Sequence, residues 1–303
     1  MGKCYFLSSF LWLLALSGFY AQEDVQTLRI NYEPATNSHK TYNPLFGEFH
    51  ELPNDFMWNK NKSRDGFTSL RIELKSAAAV VLILEDLKFG FDDQLEIIDG
   101  RGNRHIYDGR HISNKGILNT GLLPGKHIEI RGKLDSEQEE EHLAVFRRMV
   151  LLNKEDFEAL PAFDPAKDFG SSDNCNININ CSQGSSIQQE KRGIARIMLV
   201  LEEGMGWCSG TLINNTAEDF KPLFLTAYHC QDGYTPLFDF WRFDFNYEYD
   251  NCTGGLDEPP ADALTGCEFS KGRQSSDYML LEIQQSVPYS YRPYWNGWNR
   301  ADR

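Results

Sequence analysis

The sequence predicts an all-β protein made of two units. Short apolar segments recur along the chain, many alternate with polar residues, and turns rich in Gly, Asp or Pro separate them. All but one of the seven cysteines lie beyond residue 170, so a cysteine-free part precedes a cysteine-rich one. A chain of 303 residues is long enough for two hydrophobic cores. We therefore expect a β-sandwich-like unit, residues 22–157, followed by a second β unit, residues 175–303.

The first 21 residues have the pattern of a secretory signal peptide. Lys3 precedes a mostly apolar run, residues 5–16, and small residues follow it up to Ala21. A membrane anchor, the competing interpretation, needs about 20 apolar residues, and this run is shorter. We expect cleavage near Ala21 and a secreted protein, extracellular or periplasmic, with no membrane partner after signal removal.

Alternating residues mark the strands of the N-terminal unit. Leu70, Ile72 and Leu74 alternate with charged residues, which turns one side of a strand inward and the other into water. Two more apolar runs, residues 80–84 and 95–98, are also bounded by polar segments and turn residues. Short strands broken by such turns are typical of a β-sandwich.

Of two acidic segments, one invites a calcium interpretation, but a simpler interpretation is favoured for each. Residues 92–103, DDQLEIIDGRGN, lack the D-x-D-x-D-G spacing of a helix-loop-helix calcium site. A strand that ends in a turn explains them better. Residues 135–141, DSEQEEE, are most simply a solvated loop.

Residues 158–174 form the predicted linker and processing region. They contain two prolines, a glycine and paired serines, a composition typical of exposed connections that proteases cut. Lys167 lies inside this region and is the candidate position for a cut. The dibasic pair Lys191-Arg192 is the alternative, but a cut there falls inside the second unit.

Charge and cysteine spacing limit the function classes. The net charge of -14 disfavours a nucleic-acid partner, because phosphate binding needs clustered Lys and Arg. In an oxidising compartment the clustered cysteines favour disulfides over metal binding. No C-x-x-C pair occurs and only one histidine is near, so we predict neither a metal site nor a cofactor. The cysteines of the second unit are Cys175, Cys181, Cys208, Cys230, Cys252 and Cys267.

His229 is the candidate general base. Six of the seven histidines lie between residues 39 and 142, and His229 stands apart in LTAYHC, after an apolar run. Histidine titrates near neutral pH, so it can take a proton from a hydroxyl and return it to a leaving amine. Asp277, in SSDYMLLEI, precedes an apolar strand and is the candidate carboxylate that would orient the imidazole.

Taken alone, each of these residues has a simpler structural interpretation. His229 would be a structural histidine whose hydrogen bonds are satisfied, and Asp277 would cap a strand or lie in a turn. The cysteines change that balance, because a bridge from Cys208 to Cys230 would hold the histidine in place. A cysteine protease that uses Cys230 is a weaker alternative. Neighbouring residues on a strand point to opposite faces, so Cys230 and His229 would be poorly placed to act together.

Five motifs carry a resemblance to a known family. CNININC at residues 175–181, CSGTLINNT at 208–216, FLTAYHC at 224–230, SSDYMLLEI at 275–283 and YWNGWNR at 294–300 occur in the order and spacing of one group. The segment from 175 onward resembles secreted bacterial trypsin-like serine endopeptidases of the lysyl endopeptidase group. More weakly, residues 22–174 are similar to the pro-region of such proteases, which is removed on maturation, assists folding and keeps the enzyme silent.

The resemblance implies a fold and roles for particular residues. It implies that residues 175–303 form the first barrel of a two-barrel, chymotrypsin-like fold. His229 is then the general base and Asp277 its orienting carboxylate. It also implies disulfides Cys208–Cys230 and Cys181–Cys252, and it leaves Cys175 and Cys267 without an assigned partner.

One departure from the family is large. The nucleophilic serine belongs in a G-x-S-G-[GS] loop, and that motif does not occur in these 303 residues. The sequence-based expectation is therefore a chain truncated before the catalytic serine, inactive as given, whose preference for lysine cannot be transferred. The predicted function is a monomeric secreted serine endopeptidase precursor acting on proteins or peptides. The alternative is a catalytically inactive, secreted β-rich binding or decoy module.

Overall fold

A computed structural model describes residues 25–34, 45–60, 66–90, 92–133, 142–159, 175–253, 259 and 262–299. Within these residues the protein has sixteen strands and a single α-helix, α1 (Lys154–Ala159), which confirms the all-β prediction. None of the helices found there is long and apolar enough to cross a membrane. The predicted signal peptide, the acidic loop 135–141 and most of the predicted linker lie outside the described residues.

The N-terminal unit is a sandwich of two sheets. The outer sheet contains β1 (Gln26–Asn31), β3 (Phe67–Lys75), β5 (Gln94–Ile98), β6 (Arg104–Tyr107) and β8 (His127–Lys133), in the order β1-β3-β8-β5-β6. The inner sheet contains β2 (Glu48–Asn59), β4 (Ala79–Glu85), β7 (Leu118–Pro124) and β9 (His142–Leu152), in the order β2-β9-β4-β7. Only the β1–β3 pair among these is parallel.

The alternating residues lie where their period predicts. On β3, Leu70, Ile72 and Leu74 are buried in the sandwich core. The segment 92–103 is strand β5 followed by a tight turn, as expected. Asp99 closes that turn by accepting hydrogen bonds from the backbone N–H groups of Arg101, at 2.8 Å, and Asn103, at 2.9 Å.

The second unit is one barrel-like sheet of seven strands in which all paired neighbours are antiparallel. Its strands are β10 (Ile194–Leu201), β11 (Gly204–Leu212), β12 (Leu223–Thr226), β13 (Arg242–Phe245), β14 (Asp262–Thr265), β15 (Cys267–Arg273) and β16 (Tyr278–Ile283). Their order is β14-β13-β10-β11-β12-β16-β15. The β12–β16 pair at one side of this sheet carries the candidate site.

Strand β4 of the inner sheet is buried on both faces. Strand β4 has the sequence AVVLILE, and all seven of its residues are buried. Successive side chains on a strand point to opposite faces, so one set enters the sandwich and the other leaves it. Val80, Leu82 and Leu84 belong to the sandwich core, whereas Ala79, Val81 and Ile83 share a core with the second unit.

Candidate active site

Strand pairing brings His229 and Asp277 together. Strands β12 and β16 are antiparallel, with Thr226 opposite Met279. The chain that continues beyond Thr226 therefore runs beside the chain that leads into Met279. His229 follows Thr226 by three positions and Asp277 precedes Met279 by two, so residues 48 apart in sequence become neighbours at one edge of the sheet.

The two side chains make a two-point contact. The Nδ1 atom of His229 lies 2.7 Å from Oδ2 of Asp277, and the backbone N–H of His229 donates to Oδ1 at 2.9 Å. An ionised carboxylate only accepts hydrogen bonds, so Nδ1 carries the proton and the lone pair of the neutral ring is on Nε2. The side chains of His229 and Asp277 are 69% and 51% exposed, which leaves the imidazole accessible from outside the barrel.

Asp277 occupies an unusual backbone conformation. Its φ of 48° and ψ of 41° are in the left-handed region, which aspartate tolerates better than most residues. Its backbone N–H donates to the carbonyl of Gln274 at 3.0 Å and ends a short 3-10 turn, Gln274–Ser276. Hydrogen bonds from the side chain and then the backbone N–H of His229 lower the pKa of Asp277 from its ordinary value of 3.8.

A disulfide and a close strand contact fix the segment that carries His229. Cys208 on β11 is bonded to Cys230, directly after the histidine. Thr226 donates from its hydroxyl to the carbonyl of Ser209 at 2.8 Å. A Cβ atom on Gly210 would lie only 2.4 Å from the carbonyl oxygen of Leu225, so the glycine of CSGT allows β11 and β12 to approach.

The local structure around His229 differs from a strand. Tyr228–Cys230 forms a 3-10 turn, so the argument that Cys230 and His229 point to opposite faces of a strand does not apply. The histidine ring and the sulfurs of Cys208 and Cys230 in fact offer atoms within 4.8 Å of one another. Both sulfurs are used in the disulfide, however, so neither is a thiolate that could act as nucleophile or metal ligand.

Among the described residues, the other cysteines divide into a disulfide pair and two free thiols. Cys181 is bonded to Cys252, which ties the start of the second unit to the segment after β13. This pair and Cys208–Cys230 are those that the resemblance implies. Cys175 is free and exposed, and Cys267 is free and buried, where burial raises its pKa.

A buried charge network escaped the sequence analysis. Arg242 donates from Nε to Oδ1 of Asp244 at 2.7 Å, and Arg196 donates from Nη2 to Oδ2 at 2.7 Å. Burial raises the pKa of Asp244, but attraction to Arg242 and then Arg196 outweighs it and leaves that pKa below its ordinary value. The sequence RFDF carried a signal for this ion pair. Its two opposite charges are two positions apart, so they share one face of a strand within an aromatic segment.

The dibasic pair is part of the folded second unit. The side chain of Lys191 is only 7% exposed, and its Nζ lies 2.7 Å from a carboxylate oxygen of Glu248. The same Nζ donates to Oδ1 of Asn180 at 2.6 Å. A protease would have to unfold this turn before it could reach the bond after Arg192.

Comparisons with known proteins identify a relative for the second unit. Residues 169–303 match the family described as "Lysyl endopeptidase, C-terminal domain". Among solved structures, the CUB1-EGF-CUB2 domains of rat MASP-1 align with 87% of this chain and 96% of that chain, at 10% identity and a TM-score of 0.24. A similarity that low carries no argument about fold or function.

Proposed function

Since this chain is related to the lysyl endopeptidases, we propose that it is the precursor of a secreted serine-type endopeptidase. In this proposal His229 is the general base and Asp277 is the carboxylate that orients it. The observation that carries the proposal is the two-point contact, in which one carboxylate oxygen lies 2.7 Å from Nδ1 and the other accepts the backbone N–H of His229.

The contact suits proton transfer in peptide hydrolysis. The hydroxyl of a serine attacks the peptide carbonyl while Nε2 of His229 takes its proton. The same proton then passes from Nε2 to the leaving amine. In the second half of the reaction a water molecule attacks the acyl-serine while Nε2 takes its proton, and that proton returns to the serine oxygen as the acyl group is released. Asp277 stays ionised throughout and stabilises the imidazolium. Its lowered pKa supports this role, because a carboxyl that ionises easily remains a carboxylate at neutral pH.

The proposal assigns only part of the catalytic machinery. No G-x-S-G-[GS] motif occurs within residues 1–303, so we assign neither the nucleophile nor the oxyanion hole to a residue here. The specificity pocket and a preference for lysine are equally unassigned. Substrates are proposed only as a class, proteins or peptides, and the chemistry of the pair needs no cofactor.

The N-terminal sandwich is proposed as the pro-region, with maturation by cleavage within residues 158–174. The packing of the dibasic pair supports this choice, because Lys191 is almost completely buried in an ion pair with Glu248. The predicted signal peptide and the two disulfides support export to an oxidising compartment. We expect the exported precursor to be a monomer.

A peptide-hydrolysis assay tests the proposed class. The protein secreted from the gene is incubated with a mixture of defined peptides, and the products are identified by mass spectrometry. We expect cleavage of internal peptide bonds, absent in His229→Ala and unchanged in His127→Ala, a matched variant at an exposed position of β8. If the wild-type protein cleaves no peptide, the endopeptidase proposal fails and the binding-module alternative is favoured.

A further inference from the structure

We propose that the β-sandwich stays bound to the barrel after the segment that connects them is cut, so that the mature protein is a complex of two chains. This inference extends the proposed maturation, but it concerns the contact between the two units and its test needs no peptidase activity. It differs from the removal of the N-terminal region that the family resemblance implies. Four observations about the interface carry it.

The first observation is that the two units share a hydrophobic core. Ala79, Val81 and Ile83 of the inner sheet are fully buried together with Met198 and Trp241 of the barrel. If the sandwich left, one complete face of β4 and the barrel surface opposite it would enter water. Large apolar interfaces that resemble a divided core are typical of permanent complexes rather than transient ones.

The second observation is that backbone groups pair across the interface. Phe46 and Met205 exchange two backbone hydrogen bonds, of 2.8 Å and 2.9 Å, in an antiparallel bridge. Asn119, on strand β7, donates from its side chain to the carbonyl of Phe240 at 2.7 Å, and its backbone N–H donates to the hydroxyl of Thr265 at 3.1 Å. Separation would leave these polar groups needing new partners.

The third observation is that the sandwich completes the surroundings of a buried cation. Nη1 of Arg242 donates to the backbone carbonyl of Asn119 at 2.8 Å. Gly121 lies directly against the guanidinium, since a Cβ at that position would be 3.2 Å from Cζ of Arg242. A buried charge that loses a partner is strongly destabilised, so the barrel depends on the sandwich to satisfy Arg242.

The fourth observation is that the docked sandwich leaves the candidate site open. The side chains of His229 and Asp277 are 69% and 51% exposed while the sandwich is in place. The sandwich therefore does not have to leave for the imidazole to be reached. Retention is compatible with the proposed function, and the sandwich acts as a structural part of the mature protein.

An engineered cut tests the inference. Residues 22–303 are secreted with the recognition sequence of a specific protease placed within residues 160–174, and the folded protein is then cut. We expect both halves to elute together from a size-exclusion column at about micromolar loading, with the mass of the uncut protein. Separate elution of the halves, or precipitation of one of them after cutting, would overturn the inference.

The rate at which the sandwich half of the cut complex is exchanged tests whether the described interface holds the two halves together. The cut complex is mixed with an excess of a second cut complex whose sandwich half carries a fluorophore, and transfer of the label is followed. Asn119→Ala should speed exchange by about five- to 150-fold, because it leaves buried polar groups unpaired. Asn31→Ala, at an exposed position on the outer sheet, is the matched control and should exchange at the wild-type rate.

Two outcomes of this second experiment are decisive. Faster exchange in Asn119→Ala alone supports the inference, whereas equal rates in both variants contradict it. If Asn119→Ala does not fold before cutting, Ile83→Ala replaces it, because Ile83 belongs to the shared core and retains an apolar side chain when shortened. Loss of peptidase activity in either variant would bear on the proposed function and not on this test.

Discussion

Asp277 uses both of its carboxylate oxygens on His229, one within 2.7 Å of the ring Nδ1 and the other on the backbone N–H at 2.9 Å. The first contact selects the ring tautomer, and the second fixes the aspartate relative to the turn that carries the histidine. Because the backbone contact holds the carboxylate beside the turn, the second oxygen stays in position to meet Nδ1 of the ring.

Replacing Asp277 with asparagine should abolish most of the proposed peptidase activity. The amide still occupies the site, but it can donate to Nδ1 and so favours the wrong tautomer. We expect kcat of the secreted protein to fall by about 10⁴-fold. Asp219→Asn, at an exposed aspartate, is the control and should retain wild-type kinetics. A kcat for Asp277→Asn within tenfold of wild type would contradict the assigned role.

The pairing of His229 and Asp277 should persist in mild acid. Asp277 has a pKa below its ordinary 3.8 in the folded protein, because the His229 side chain and backbone N–H both donate to it. A carboxyl with a depressed pKa contributes its stabilisation above the unfolded pKa and loses it only as the pH falls through the folded value. Carboxyl NMR titration should place the midpoint below 3.8 in the wild type and nearer 3.8 in His229→Ala. Identical midpoints would show that the His229 side chain does not interact with Asp277.

The two disulfides should stabilise the barrel to different degrees. Cys208 and Cys230 are 22 residues apart, and Cys181 and Cys252 are 71 apart. In the chain-entropy model, the loss on replacing both cysteines with serine is about 3 kcal/mol for the shorter loop and about 4 kcal/mol for the longer one. Guanidinium unfolding curves measure both. A larger loss for the shorter loop would show that the Cys208–Cys230 bond stabilises mainly through local contacts of the folded state.

The buried network around Asp244 should contribute far more to stability than a surface ion pair. Asp244→Ala leaves the buried guanidinium of Arg242 without its carboxylate, and we expect a loss of about 3 to 5 kcal/mol in the free energy of unfolding. Glu73→Ala, which breaks the exposed pair with Arg29, should cost below about 1 kcal/mol. Comparable losses in the two variants, measured by urea unfolding, would contradict the assignment of a buried charge.

Sequence patterns predicted the all-β class, and the reason is local. The period of two on β3 depends on one strand and its own two faces, so Leu70, Ile72 and Leu74 can be placed without knowledge of the rest of the fold. The pairing of His229 with Asp277 was proposed from their acid–base chemistry and from motifs, but their contact could not be derived from the sequence. It depends on the register of β12 against β16, which the residues alone do not reveal.

The docking of the two units was not predicted, because burial of a strand says nothing about what buries it. The apolar run of residues 80–84 predicts a strand buried on both faces, and that prediction is the same whether the second face packs on another sheet or on a neighbouring unit. The 3-10 turn at Tyr228–Cys230 was missed for a similar reason. An apolar run ending in YHC continues a strand pattern, and the disulfide and Asp277 contact that bend it come from distant parts of the chain.

Reaction with a fluorophosphonate probe is the most direct test of the central claim, that His229 is the base of a serine endopeptidase. The probe bonds covalently to a serine only when a neighbouring base activates it. The protein secreted from the gene should be labelled, and His229→Ala should lower the rate by several orders of magnitude, up to about 10⁶-fold. Residues 22–303 expressed alone should remain unlabelled. Equal labelling of the wild type and His229→Ala, or no labelling of the secreted wild-type protein, would contradict the account.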